Sequence, residues 1–318
     1  MANDRSQSLI NKILPLMGDL AELYRDPDTV ELIVNEDGRV WLDTLKESSI
    51  DTGLFIPEGA RTTIIELMAD SMGELANRDR PFVSAIFPES LERFQGQLPP
   101  MVLAPTFSIR MPARKVITLD EQVARGTLSP THAAVLRQAL VERRNIIISG
   151  ATGSGKSTFA NSLLAETCLS GDRHVIIQDL PELRTVAKNA TILFTRASNP
   201  VITAQALLVI ALRLRPDRIH IGECRDGMTL RELFKAWNTG HPGGLTTLHA
   251  DSVEDVLYRA EDLIAEVSTQ IPHRQIARTV GLIVQIARTP EGRRVTDMIQ
   301  NIQYDPTTAR YSFDRIAA

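Results

Sequence analysis

Residues Gly150-Ala151-Thr152-Gly153-Ser154-Gly155-Lys156-Ser157 form a G-x-x-x-x-G-K-[ST] phosphate loop, with Thr158 next and the apolar run Ile146-Ile147-Ile148 just before. A buried strand that ends in a glycine-rich turn and opens a helix gathers backbone N–H groups and the helix N-terminus around a β-phosphate. In such a loop Lys156 would reach the β- and γ-phosphates, and the Ser157 hydroxyl would hold Mg²⁺. A chance glycine turn lacks the required frame. Here Asn145 to Ser149 is strand-like, and Thr158 to Thr167 carries Phe159, Leu163 and Leu164 on one helical face. The pattern therefore points to a nucleotide site.

Hydrolysis also needs an acid to orient or deprotonate water and cations to offset γ-phosphate charge. The run Arg218-Ile219-His220-Ile221-Gly222-Glu223 alternates apolar residues and ends in an acid, where the strand beside the phosphate loop should end. Gly222 occupies the usual aspartate position, so Glu223 is the candidate for positioning water, its metal contact being through water. A second acidic pair, Asp179 and Glu182, follows the apolar run Val175 to Ile177, with Pro181 as the turn residue; alone it would be an ordinary turn. His249 ends a segment whose glycines (Gly240, Gly243, Gly244) make a loop and whose Leu245 to Leu248 makes a strand, so it can approach a γ-phosphate. Metal ligation by the histidines is disfavoured, because no Cys or carboxylate stands at ligand spacing, and a packed histidine is the competing role. Arg213, Arg215, Arg218 and Arg225 gather around the Glu223 strand, with Arg93 and Arg110 upstream; they matter only if a nucleotide lies between them.

A parallel sheet would bring these side chains together. From Asn145 onward strands at 145–149, 173–178, 191–195, 218–222 and 244–248 alternate with helices at 156–168, 203–212, 227–238 and 252–269. That alternation predicts a largely parallel sheet with helices on both faces. The tail adds a helix and then short strands around Gly292 and Pro306. Upstream, Leu9, Ile13, Leu16, Leu20 and Leu23 recur at helical spacing, interrupted at Pro15. This helix packs on its own domain or, alternatively, on a membrane surface or partner. Strands at 31–35 and 39–43 are joined by Glu36-Asp37-Gly38, a hairpin signal; a helix at 62–75 and strands at 82–86 and 101–109 follow. The expected fold class is α/β: a smaller N-terminal α+β domain over 1–115, a linker over 116–128 and a phosphate-loop domain over 129–318.

Composition fits this division. The 318 residues, 43% hydrophobic and 23% charged, suit a globular chain of about two domains. A net charge of −4 makes direct DNA binding unlikely as a default. Cys168 and Cys224 form no C-x-x-C pair, which argues against a zinc site or a disulfide framework and suits a reducing cytoplasm. Met1 to Gln7 is polar, and no apolar run approaches the ~18 residues needed to span a bilayer.

Four motifs stand in order: the phosphate loop, Gln178-Asp179-Leu180-Pro181-Glu182, Ile221-Gly222-Glu223-Cys224-Arg225, and Thr239-Gly240-His241 through Leu248-His249-Ala250. Together they resemble the Walker A, Asp box, Walker B and His box of the type II/type IV secretion ATPases. Leu212 to Arg218 and Lys235 to Gly244 are most similar to the conjugal-transfer, TrbB-like branch. Asp26-Pro27-Asp28 through Val34-Asn35 and Phe107-Ser108-Ile109-Arg110 extend the resemblance over nearly the whole chain. The resemblance implies a RecA-like P-loop NTPase domain, an N-terminal domain that clamps the nucleotide, and a hexameric ring on the cytoplasmic face of the inner membrane.

It further implies ATP and Mg²⁺ as ligands, with Gly150 to Thr158 around the phosphates and Lys156 and Ser157 on phosphate and metal. Glu223, Glu182 and His249 would be catalytic beside Lys156, and Asp179 and Glu182 would stand near the metal, through water. Arg110 and Arg93 match N-terminal arginines that reach the phosphates. Relatives carry Glu-Asp where this chain has Gln178-Asp179, so no catalytic role is carried to 178, and the zinc-binding cysteines of some type II relatives are missing. The activity so implied is Mg-dependent ATP hydrolysis powering conjugative pilus assembly or transfer through a type IV secretion channel, with other secretion proteins as partners. The alternatives are a type II secretion or type IV pilus motor, a nucleic-acid-stimulated RecA-like ATPase, and a scaffold that binds ATP without turnover.

Overall fold

A computed structural model describes residues 2–44, 47, 49–87, 91–112, 116–196 and 200–317, the side chains of 2–8 excepted. The chain divides into two units, Met1–Arg114 and Lys115–Ala318.

In the first unit, helices α1 (Ala2–Met17) and α2 (Leu20–Arg25) precede strands β1 (Thr29–Val34), β2 (Arg39–Thr44) and β3 (Ile50–Phe55). Helix α3 (Glu58–Ser71) and strands β4 (Phe82–Ile86), β5 (Arg93–Gln97) and β6 (Thr106–Arg110) follow. The strands form one antiparallel sheet in the order β3-β2-β1-β6-β5-β4. Leu32, Val34, Phe94, Phe107 and Ile109 point to a shared core with Ile64, Ile65 and Met68 of α3. The predicted break at Pro15 falls instead at Gly18, whose φ of +54 suits glycine, and α1 continues to Met17. Leu9, Ile13 and Leu20 are buried in this unit's own core. The strand expected over 101–109 shrinks to β6, since Pro100 and Pro105 cannot donate to a ladder. Strands β3 and β5 were not anticipated; their Gly53 and Gly96 dilute the pattern.

The second unit opens with α4 (Leu119–Ala124) and α5 (Pro130–Val141). The stretch 116–128, expected as a linker, thus contains a helix with a Thr118–Glu121 capping box, and Leu119 and Leu128 lie in the unit's core. Residues 113–115, at the expected boundary, lie outside the described residues. Then come β7 (Ile146–Ser149), α6 (Lys156–Leu164), β8 (His174–Gln178), β9 (Ala190–Phe194) and α7 (Ala204–Ala211). The remainder is β10 (Arg218–Ile221), α8 (Gly227–Asn238), β11 (Leu245–Leu248), α9 (Val253–Ala265), α10 (His273–Thr279), β12 (Leu282–Thr289), β13 (Gly292–Asp305) and β14 (Arg310–Arg315).

These strands form an eight-stranded sheet ordered β14-β13-β12-β7-β11-β10-β8-β9. Strands β12 through β9 in that order are parallel, and β13 and β14 add antiparallel strands at one edge. One face packs on α4, α5 and α6, with Ile146, Ile148 and Phe159 among the core residues. The other packs on α7 to α10, through residues such as Leu208, Leu233, Leu257 and Ile276. The tail is more ordered than short strands would be: the buried run Leu282–Ile286 puts β12 inside the sheet beside β7, and β13 extends over 14 residues. Helix α6 stops at Leu164, before the predicted end at 168, and a 3₁₀ turn follows at Thr167–Leu169.

Inside this sheet His174 and His220 stack with ring centroids 5.1 Å apart. His174 Nε2 donates to the Leu169 carbonyl at 3.0 Å, His220 Nε2 donates to His174 Nδ1 at 2.9 Å, and the Leu245 N–H donates to His220 Nδ1 at 3.1 Å. One neutral tautomer of each ring satisfies all three bonds. Burial pushes both imidazoles below the ordinary histidine value, His220 furthest. The native rings therefore stay neutral where the unfolded chain takes up protons, so stability is full above about pH 6.5 and is lost as pH falls below it. Each ring contributes a slope of up to about 1.4 kcal/mol per pH unit. Urea midpoints are expected to drop between pH 7.5 and 5.5. A flat profile would mean the pair carries a proton in the native state.

Candidate nucleotide-binding and hydrolysis site

The phosphate loop follows from the burial of β7, all four of whose residues are in the core. Close approach of backbone requires Gly150, and a left-handed backbone conformation requires Gly155. A Cβ on Gly150 (φ +150) would lie 2.1 Å from the Ile286 carbonyl oxygen, and one on Gly155 (φ +102) would lie 2.9 Å from Arg293 Cδ. The loop therefore lies against β12 and β13, and α6 begins at Lys156 with its N-terminus opening on the loop. Ser154 Oγ is buried with no partner among the described residues.

Lys156 Nζ donates to the carbonyls of Gly150 (2.8 Å) and Ala151 (2.9 Å) and lies 3.2 Å from His249 Nδ1. Burial lowers the Lys156 pKa, against the opposing charges of Glu223 and Glu182. His249 Nε2 is 2.9 Å from Glu223 Oε1, so Lys156, His249 and Glu223 form one continuous chain. With Nε2 protonated, the imidazole donates to Glu223 and accepts from Lys156. Burial raises the Glu223 pKa, but the hydrogen bond and charge of Arg225, with His249 and Lys156, outweigh it and hold the carboxyl below the usual range.

These residues come from separate strand ends. His249 follows β11 and Glu223 follows β10, and β11 lies between β7 and β10. The Glu223 strand is thus one removed from the phosphate-loop strand, not beside it, because the His249 strand takes that place. Gly222 has a packing role: a Cβ there would be 3.1 Å from Gln178 Cβ.

The Asp box splits into two halves. Ser157 Oγ donates to Glu182 Oε2 at 2.6 Å, which puts hydroxyl and carboxylate oxygens together at the start of α6. Gln178 Oε1 accepts from the backbone N–H of Glu182 (3.1 Å) and Leu183 (2.8 Å), so residue 178 holds the turn. Asn161 adds a second clamp, donating to the Glu182 carbonyl at 2.7 Å and accepting from Arg184 N at 2.8 Å. Asp179 instead accepts from the Thr195 hydroxyl (2.6 Å) and pairs with Arg225 (3.4 Å).

The arginines separate as well. Arg218 is buried at the start of β10, bonded to Asp172 and to the Leu140 and Gly243 carbonyls, at the strand end opposite Glu223. Arg213 and Arg215 lie in the 3₁₀ turn and the residue after it, also before β10. Arg225 alone of this group contacts Glu223, at 2.8 Å. In the first unit, Arg93 and Arg110 are direct cross-strand partners on β5 and β6, and Glu31 of β1 stands opposite Arg110 on its other side.

Three contributors gave no local signal. Asn161 clamps the Glu182 turn from α6. Gln285 of β12 donates to the carbonyls of Ala250 and Asp251 (both 3.1 Å) and accepts from Ser149, fixing the segment after His249. Arg293 of β13 lies over Gly155 and donates weakly to the Gly153 carbonyl at 3.4 Å. Only the pairing of the tail with the main sheet reveals the last two.

The profile of the type II/IV secretion system protein family matches residues 83–311. The conjugal transfer protein TrbB of Rhizobium radiobacter is 40% identical over 92% of this chain and 90% of its own length. A probable conjugal transfer protein TrbB of Sinorhizobium fredii is 42% identical over 92% and 89%. Among solved structures, the Legionella pneumophila ATPase DotB superposes with a TM-score of 0.66 at 18% identity, covering 92% of this chain and 82% of its own. That likeness is one of fold, a RecA-like P-loop domain with a smaller N-terminal α+β domain. With a profile matched over most of its length and two relatives aligned nearly end to end, the chain belongs to the type II/IV secretion system protein family.

Proposed function

We propose that this chain is an ATP-hydrolysing motor of a conjugative type IV secretion system, acting as a homo-oligomeric, hexameric ring. The observation that carries the chemistry is the unbroken chain from Lys156 through His249 to Glu223, with contacts of 3.2 and 2.9 Å. It joins the group expected on the β- and γ-phosphates to the group expected on the attacking water. The conjugal transfer proteins that align over 92% of the chain support the biological setting.

The phosphate-loop N–H groups and the α6 N-terminus bind the β-phosphate of ATP. Lys156 exchanges the Gly150 and Ala151 carbonyls for phosphate oxygens, and His249 turns from Glu223 and Lys156 toward the γ-phosphate. Glu223 orients water for in-line attack. The Ser157 and Glu182 oxygens suit a hard cation, and Mg²⁺ held there, with Glu182 acting through water, would offset phosphate charge. Arg93 and Arg110 supply further positive charge, and their release after hydrolysis converts chemistry into domain motion. Other secretion proteins at the inner membrane receive that motion, with the ring peripheral on the cytoplasmic face. Among the described residues no helix is long and apolar enough to cross the bilayer.

The test is steady-state Mg·ATP hydrolysis against protein concentration. Specific activity should climb with concentration, because a ring completes its sites by assembly. Activity per molecule that stays flat would indicate a self-sufficient monomer and overturn the ring; stimulation by single-stranded DNA would favour a nucleic-acid-dependent ATPase.

A further inference from the structure

Arg225 stands two residues past Glu223, and its guanidinium bridges two carboxylates. Nη2 is 2.8 Å from Glu223 Oε2, and Nη1 is 3.4 Å from Asp179 Oδ2. Asp179 is held in turn, its Oδ1 accepting the Thr195 hydroxyl at 2.6 Å. Arg225 follows β10, Asp179 follows β8 and Thr195 follows β9, three consecutive strands of the sheet. The chain of contacts therefore ties Glu223 to the ends of its two neighbours on the side away from the phosphate loop. On the other side His249 meets Oε1 at 2.9 Å, so the two oxygens of Glu223 are held from opposite directions.

We infer that Arg225, anchored by Asp179, is a positioning residue that fixes the orientation of Glu223 toward the attacking water. This rests on the reading of Glu223 given above. A free glutamate side chain has several rotamers open to it, and a misplacement of ~1 Å at a reacting group costs about 10²-fold in rate. A guanidinium fork is suited to this task, since its donors lie in one plane at fixed angles. Stability is not its main contribution, because the Arg225 side chain is 62% exposed and exposed ion pairs add little. Asp179 is thereby assigned the role of anchor: each of its carboxylate oxygens already has a protein partner, and neither is Ser157.

The experiment measures kcat, the Kd of a fluorescent ADP analogue and thermal midpoint for Arg225→Ala, Arg225→Lys, Asp179→Asn, the Arg225→Ala/Asp179→Asn double variant and Glu223→Gln. Arg225→Ala should lower kcat by about 10–10²-fold with Kd and midpoint unchanged, and Arg225→Lys should recover part of the loss. Asp179→Asn should lose less, and the double variant should be no slower than Arg225→Ala, because Asp179 acts only through Arg225. Independent, multiplying losses would detach Asp179 from Arg225 and overturn the anchor. A weakened Kd in Arg225→Ala would make Arg225 a phosphate contact instead. Full turnover in Arg225→Ala beside an inactive Glu223→Gln would overturn the positioning role alone, whereas full turnover in Glu223→Gln would overturn the reading of Glu223 beneath it.

Discussion

Lys156→Ala is expected to lower ATP turnover by at least about 10²–10³-fold and to weaken nucleotide binding with it. The ammonium is the cation most deeply placed at the loop, donating to the Gly150 and Ala151 carbonyls and facing His249 Nδ1. Its removal leaves both carbonyls without their donor and removes the charge that should follow the γ-phosphate during transfer. Both ground state and transition state lose an interaction, so KM should rise while kcat falls. Titration with a fluorescent nucleotide and single-turnover hydrolysis separate the two effects. Near-wild-type turnover would place charge neutralisation on other residues.

Glu223→Gln should have the opposite profile: nucleotide binding retained and kcat reduced by about 10²–10⁴-fold. The carboxylate now accepts from His249 Nε2 on one oxygen and from Arg225 Nη2 on the other. An amide has one acceptor oxygen, so one of these contacts becomes donor against donor. The depressed pKa of Glu223 refines the role. A carboxylate held below its ordinary range is a weak proton acceptor at neutral pH, so in the proposed mechanism Glu223 would act chiefly by orienting water. The sign for pH follows: the active, ionised form persists until pH falls through the lowered pKa, and the acid limb of kcat/KM, which reports the free protein, should lie below the usual glutamate value. An acid limb near neutrality would indicate a different titrating group.

Much of the second unit was legible because its signals are local. Helix α8 spans Gly227–Asn238 as periodicity predicts, and β8, β10 and β11 differ from expectation by one residue at an end. Buried parallel strands read as short apolar runs, and caps such as Asp226 and Ser252 mark helix starts. What escaped was decided by pairing between distant segments. Strand β12 was read as part of a weak tail because Leu282–Ile286 gives no clue that it will lie beside Ile146–Ser149. Arg218 was grouped with the site because Glu223 is close in sequence, yet the four-residue strand β10 puts the two at opposite ends of the sheet. In the first unit β5 was hidden by glycine and by a loop-like neighbourhood. The acidic Asp box showed which residues carry charge, but not that Glu182 turns to Ser157 and Asp179 to Arg225.

The contacts among Lys156, His249 and Glu223 have a bearing on the turnover cycle. Lys156 and Glu223 each have partners within the protein, two carbonyls and His249 for the ammonium, His249 and Arg225 for the carboxylate. In the proposed cycle, departure of the spent nucleotide would then be an exchange of partners, with no bare ammonium or carboxylate left behind. On the proposed reading, a site that supplies its own hydrogen-bond partners would lower the cost of resetting between turnovers.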